Sequence, residues 1–167
     1  MTAVGFVGAV LAGGQSIRMG RDKALVEVAG VPMASRVAAA MSDAGATEVV
    51  IVGGQADLRT GFGLRFVPDL FPGEGPLGGI LTALRAFRVG LVAIGACDLP
   101  HLDAATVETL AASIEGHDVA LAYTDRLEPL CGVWRCEVGV VHLQSAFDEG
   151  ERSTHRAILG LDVVTVN

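Results

Sequence analysis

Between Leu91 and Cys97 the chain reads Leu-Val-Ala-Ile-Gly-Ala-Cys, without one polar side chain, and the next residue is Asp98. Such a run has strand length and reads as a strand buried on both faces. Phe6 to Leu11 and the β-branched run Glu48-Val49-Val50-Ile51-Val52 carry the same signal. Strands of that kind occur in parallel sheets covered by helices on both sides. The rest of the chain must therefore supply crossover helices.

It does so in order. Ala24 to Val28 alternates weakly and is closed by Gly30-Val31-Pro32. Met33 to Ala44 is alanine-rich with apolar residues at helical spacing and stops at Gly45. Leu64 to Val67 predicts a short strand closed by Pro68-Asp69, followed by a loop rich in glycine and proline and a helix from about Gly79 to Phe87. Asp103 is placed to cap a helix over Ala104 to Ile114. Val119 to Tyr123 and Leu130 to Trp134 read as strands, Glu137 to Phe147 and Thr154 to Leu161 as helices, and Asp162 to Val166 as a last strand. The alternation predicts an α/β doubly wound, mostly parallel sheet with room for one antiparallel strand. No repeat, low-complexity segment or linker divides the chain, so residues 1–167 read as a single domain.

Ligands of such sheets sit beyond the carboxyl ends of the strands. The glycine-rich loop after Leu11, the pair Gly53-Gly54, Asp69 and Asp98 all follow strands, which predicts that they share one edge. The loop is the richest of these in chemistry. Leu11-Ala12-Gly13-Gly14-Gln15-Ser16-Ile17-Arg18-Met19-Gly20-Arg21-Asp22-Lys23-Ala24-Leu25 turns through adjacent glycines and offers Arg18, Arg21 and Lys23 within six residues. Successive backbone N–H groups in such a turn form an anion-binding concavity, and arginine and lysine add formal charge. By chemistry this is a polyphosphate cradle. Neither G-x-x-x-x-G-K-[ST] nor G-x-G-x-x-G is present, which argues against a Walker loop and against a dinucleotide-dependent oxidoreductase.

The net charge of −7 argues against a general nucleic-acid binder, so a polyanionic substrate needs this local positive cluster. No apolar run approaches the ~20 residues of a membrane span. The N-terminal residues lack a basic leader, giving the expectation of a cytoplasmic protein with no membrane partner. Cys97, Cys131 and Cys136 are an odd number without a C-x-x-C and read as reduced, partly buried thiols, since their spacing fits no usual zinc pattern. His101, three residues past Asp98, reads as solvent-facing. On the residues alone, Asp98 is either a turn or helix-capping residue or a ligand, and Asp69 either an ordinary Pro-Asp turn or a ligand.

The string L-A-G-G-x-S-x-R-M-G-x-D-K-A-L resembles the signature of the nucleotidyltransferases related to molybdenum cofactor guanylyltransferase. The wider set includes cytidylyltransferases and sugar-phosphate nucleotidyltransferases. The resemblance implies a Rossmann-like nucleotidyltransferase fold and assigns roles residue by residue. Lys23 matches the lysine that contacts the triphosphate, and Arg18 its basic partner. Leu11, Ala12 and Gly13, with Gly14 beside them, match the backbone segment against base and phosphates. Asp69 in V-P-D matches a nucleotide-contacting position, and the following G-P-L-G-G-I a loop beside the nucleotide. Asp98 in A-C-D-L-P matches the metal-binding segment, where Mg²⁺ needs one or two carboxylates plus phosphate oxygens and waters. Thr124 to Trp134 resembles the acceptor-side segment, and Gly150-Glu151-Arg152-Ser153 a late G-x-R-S element; loop and helix cap are the alternative readings of both.

The implied reaction moves GMP from GTP to a molybdopterin-type acceptor with release of pyrophosphate. A CTP-using or other phosphate-acceptor transferase is the alternative, and a nucleotide-binding module without turnover is a third reading. One position departs from the pattern. Family members that read guanine carry an asparagine near position 53, where this chain has Gly53.

Overall fold

The computed structural model describes residues 5–14, 22–88 and 90–167. Arg18 thus lies outside the described residues. The elements in chain order are strand β1 (Phe6–Leu11), a one-turn 3₁₀ segment (Lys23–Leu25), the hairpin strands β2 (Glu27–Val28) and β3 (Val31–Pro32), and helix α1 (Met33–Asp43). Next come β4 (Val49–Val52), the short helix α2 (Ala56–Arg59), β5 (Arg65–Val67), α3 (Pro76–Phe87) and β6 (Leu91–Ala96). The chain closes with α4 (Ala104–Ser113), β7 (Val119–Tyr123), β8 (Leu127–Arg135), α5 (Cys136–Asp148), α6 (Thr154–Ala157) and β9 (Val163–Val166).

Seven strands form one sheet in the order β5-β4-β1-β6-β8-β7-β9. β1 pairs parallel with β4 and β6, β4 with β5, and β7 with β9. Only β8 runs antiparallel, between β6 and β7. The mostly parallel α/β sheet is therefore as the sequence implies, including its one reversed strand.

Side-chain alternation divides the interior into two cores. Phe6, Val10, Ile51, Ala93 and Cys97 face one side, where α1 and α4 cover them with Val37, Met41, Val107 and Leu110. Ala9, Leu11, Val50, Val52, Val92 and Ile94 face the other, against α3, α5 and α6 through Leu77, Leu81, Leu84, Leu143 and Ala157. Both faces are thus removed from water, the condition under which strands read as unbroken apolar runs. Met41 lies across β1 and β6 because both lack a side chain beneath it. A Cβ on Gly8 would meet its Sδ at 2.9 Å, and one on Gly95 its Cε at 2.8 Å.

Several boundaries differ from the sequence reading. Helix α3 begins at Pro76, not Gly79, because proline at the first helical position loses no needed hydrogen bond. Strand β8 begins at Leu127, not Leu130. The helix expected over Thr154 to Leu161 ends at Ala157, and Gly160 beyond it has φ +94°. Of the weakly alternating stretch Ala24 to Val28, Ala24 and Leu25 lie in the 3₁₀ turn and Glu27–Val28 form a strand. Asp103 does cap α4, accepting from Thr106 N at 2.8 Å. The three cysteines are buried and unbridged. Among the described residues no helix is long and apolar enough to cross a membrane.

Candidate active site

The four neighbouring parallel strands β5, β4, β1 and β6 end level with one another. Their ladder runs one step past the strands: Cys97 N donates to Leu11 O at 3.0 Å, Ala12 N to Val52 O at 2.8 Å, and Gly53 N to Val67 O at 2.9 Å. Four of the expected site segments within the described residues each follow one of these strands. Gly13-Gly14, Gly53-Gly54, Asp69 and Asp98 consequently stand along one carboxyl edge, as the order of strands and loops predicts.

Lys23 reaches that edge from a 3₁₀ turn closed by Asp22, whose carboxylate accepts from Ala24 N at 3.0 Å. Ala24 is fully buried in the core under α1 and so anchors the turn. Lys23 Nζ lies 3.2 Å from Asp98 Oδ2. Both side chains are about half exposed, at 49% and 46%, so the pair adds little to stability. Arg36 of α1 fixes the two supports relative to each other. Its Nε donates to Pro100 O at 3.0 Å and its Nη1 to Val28 O at 3.5 Å, which ties the segment after Asp98 to the hairpin after Lys23.

Asp69 is held differently. Its Oδ1 accepts from Phe71 N at 2.9 Å and stands 3.1 Å from the hydroxyl of Thr82. Its Oδ2 points back towards the glycine loop, 3.6 Å from where a Cβ on Gly13 would sit. Gly53 and Gly13 pack backbone to backbone. A Cβ on Gly53 would fall 2.9 Å from Gly13 Cα and 3.0 Å from Gly13 N, and Gly53 has φ +78°. Position 53 therefore has no room for a side chain. The first turn of α3 packs here too, with Gly79 open to the Leu11 side chain and Gly78 against Phe71.

Beyond β6, the end of β7 and the start of β8 share the same edge. Thr124 N donates to Arg126 O at 3.1 Å in the turn between them, and Tyr123 there is 42% exposed. The G-x-R-S element is a loop and cap in this fold: Ser153 caps α6, and Glu151 accepts from Arg152 N and Ser153 N. Its arginine reaches further. Arg152 Nε donates to Glu74 at 2.5 Å, and its guanidinium lies 3.7 Å over the Phe147 ring, which pins the loop before α3 to α5.

Thr82, Glu74 and Arg36 are supports that sequence reasoning did not single out. Thr82 carried a signal, being the one polar residue in the apolar stretch Leu77 to Leu84. His101 is exposed, and among the described residues no group of three or more His, Cys, Asp or Glu side chains is gathered as a metal cage. A single carboxylate at an open strand end is a donor set suited to Mg²⁺ shared with phosphate oxygens.

A protein of Pelotomaculum thermopropionicum named "Probable molybdenum cofactor guanylyltransferase" is 41% identical over 128 residues, covering 76% of this chain and 62% of its own length. The chain thus spans less than two thirds of that relative. A protein of Opitutus terrae with the same name is 34% identical over 163 residues, covering 95% of this chain and 80% of its own. Among solved structures, molybdopterin-guanine dinucleotide biosynthesis protein A from Archaeoglobus fulgidus superposes with a TM-score of 0.79 at 28% identity, covering 95% of this chain and 82% of that one. The family model of the MobA-like NTP transferase domain matches residues 8–161. With that match over most of its length, and with its glycine loop, Lys23, Asp69 and Asp98 on one sheet edge, the chain belongs to the MobA-like NTP transferase family.

Proposed function

We propose that the chain is a cytoplasmic nucleotidyltransferase that moves GMP from GTP to a molybdopterin-type acceptor, giving a molybdopterin guanine dinucleotide. The single observation that carries this reading is the meeting of Lys23 and Asp98 at 3.2 Å beside the glycine loop. Relatives named as molybdenum cofactor guanylyltransferases supply the acceptor. Unbridged cysteines fit a reducing cytoplasm.

The acceptor phosphate is already a nucleophile, so no Ser-His-Asp or Cys-His unit is required. One of its oxygens forms a bond to the α-phosphorus of GTP as the bond to the bridging oxygen breaks, and pyrophosphate leaves with that electron pair. The work of the protein is positioning and charge stabilisation. Backbone N–H groups of Gly13 and Gly14 orient the phosphates. Lys23, with Arg18 from outside the described residues, stabilises the charge that grows on pyrophosphate. Asp98 would hold Mg²⁺, which would supply charge neutralisation to the phosphates. The ammonium of Lys23 keeps the Asp98 carboxylate company until the triphosphate takes the lysine.

Guanine is read by Asp69. A guanine edge presents two donors, N1–H and the 2-amino group, while adenine and cytosine each place an acceptor there. The Oδ2 of Asp69 is a carboxylate acceptor beside Gly13, 3.6 Å from where a Cβ on that glycine would sit. Leu11, Ala12 and the Gly53 backbone form the floor.

The test is pyrophosphate release from GTP, ATP, CTP and UTP with molybdopterin and with a panel of other phosphorylated acceptors. GTP-dependent release that requires molybdopterin is the expected result. Preference for CTP would overturn the guanine assignment, and no release with any pair would overturn the transferase.

A further inference from the structure

Thr82 is one of two polar residues buried among the described part of the chain, with no exposed surface at all. It lies in the second turn of α3, inside the apolar stretch that seals one face of the sheet. Its hydroxyl serves three groups. It stands 2.8 Å from Gly78 O and 3.1 Å from Asp69 Oδ1, and it accepts from Leu70 N at 3.1 Å. A hydroxyl has one proton and two lone pairs, so the proton is shared between the helix carbonyl and the carboxylate.

The consequence is for Asp69. Two donors converge on Oδ1, from Phe71 N and from Thr82. Leu70 N, the residue between, is fixed to the same hydroxyl. This leaves Oδ2 as the remaining acceptor, set towards Gly13. Without the hydroxyl, Phe71 N alone holds the Asp69 carboxylate, and the chain at Leu70 loses its tie to α3.

We propose that Thr82 is a positioning residue for base selection: from beneath the site it locks the Asp69 carboxylate with Oδ2 facing the nucleobase. The inference rests on the reading of Asp69 as the guanine acceptor. It adds a buried specificity determinant that never touches the nucleotide.

The experiment compares wild type, Thr82→Val, Thr82→Ser and Asp69→Asn with GTP and with ITP, which lacks the 2-amino group. Calorimetric binding is measured beside turnover. Thr82→Val keeps shape and removes the hydroxyl; it is expected to weaken GTP binding and raise KM about tenfold, as loss of one hydrogen bond does, with kcat within about twofold. The GTP-over-ITP preference should shrink with it. Thr82→Ser keeps the hydroxyl and is expected to restore both. In an Asp69→Asn background Thr82→Val should have little further effect on GTP, because coupled residues do not add. If Thr82→Val does not fold, Thr82→Ala, which removes the same hydroxyl without adding a methyl, carries the same expectations.

A wild-type enzyme that binds GTP and ITP equally, with Asp69→Asn unchanged, defeats the guanine reading of Asp69. A wild type that prefers GTP and loses that preference in Asp69→Asn, but keeps it in Thr82→Val, defeats the role of Thr82 alone. Equal losses in Thr82→Ser and Thr82→Val would also overturn it, since the hydroxyl would then be irrelevant.

Discussion

Lys23 Nζ and Asp98 Oδ2 stand 3.2 Å apart although 75 positions separate them in sequence. Neither is buried, and an exposed pair of this kind stabilises a fold by no more than about 1 kcal/mol. What holds them together is the scaffold beneath. Ala24 is locked into the core, Cys97 N is bonded to Leu11 O, and Arg36 ties the carbonyls of Val28 and Pro100. A cation and an anion delivered so deliberately to the edge of a parallel sheet fit a triphosphate and its metal.

Lys23→Ala tests the cation. The lysine side chain is about half exposed and its ion pair adds little to the fold, so the melting temperature should move little. Loss of a charge-assisted hydrogen bond of about 1.5–3 kcal/mol should weaken GTP binding roughly ten- to hundredfold. Calorimetry showing wild-type affinity would remove Lys23 from the triphosphate site.

Gly53→Ala tests the floor of the site. At φ +78° a side chain is strained, and its Cβ would lie 2.9 Å from Gly13 Cα. The two effects together should destabilise the fold by about 2 kcal/mol and push the glycine loop away from β4. GTP affinity should fall along with the melting temperature. An alanine variant with both properties intact would show that Gly13 and Gly53 need not touch.

The strand ends were legible because each apolar run stops abruptly at glycine or aspartate, and in a parallel sheet those stops are neighbours. The beginning of α3 was not, since Gly75-Pro76-Leu77-Gly78-Gly79 has the composition of a loop. It is helical because Pro76 suits the first position and Gly78 and Gly79 have Phe71 and Leu11 against them. The start of β8 was hidden by Pro129, which normally interrupts a strand. Here the β6 ladder stops at Gly95–Cys131, short of the proline. Thr82 was hidden for another reason. A threonine among leucines looks the same whether it bonds only its own helix or also a carboxylate thirteen residues back, and that depends on tertiary approach.

Glu151 gives a pH dependence. Hydrogen bonds from the Arg156 guanidinium, then from Ser153 N, hold its carboxyl at about 2, below the usual 4.5. Because the folded value is depressed, the stabilisation is present above pH 4.5 and is lost as pH falls towards 2. The melting-temperature gap between wild type and Glu151→Gln should therefore be widest near neutral pH and close as pH falls through that window. A gap that stays constant down to pH 2 would show that the bracket around α6 does not depend on charge.

Asp98→Asn is the sharpest test of the site. Asparagine keeps the shape of the side chain and one oxygen, and removes the charge that makes a magnesium site competitive. A carboxylate that would hold a metal for charge developing in the transition state matters more to turnover than to GTP binding, so turnover should fall much more than affinity. A loss of about two orders of magnitude or more in pyrophosphate release is expected, matching the several kcal/mol of transition-state charge stabilisation that a catalytic metal supplies. Higher Mg²⁺ or Mn²⁺ should recover part of it. The same substitution breaks the ion pair with Lys23, but that pair is about half exposed, so the melting temperature should move little. If Asp98 served only as a turn former, asparagine, itself a good turn residue, would leave activity near normal and its metal dependence unchanged. That outcome would detach the metal from Asp98 and leave Lys23 alone at the edge.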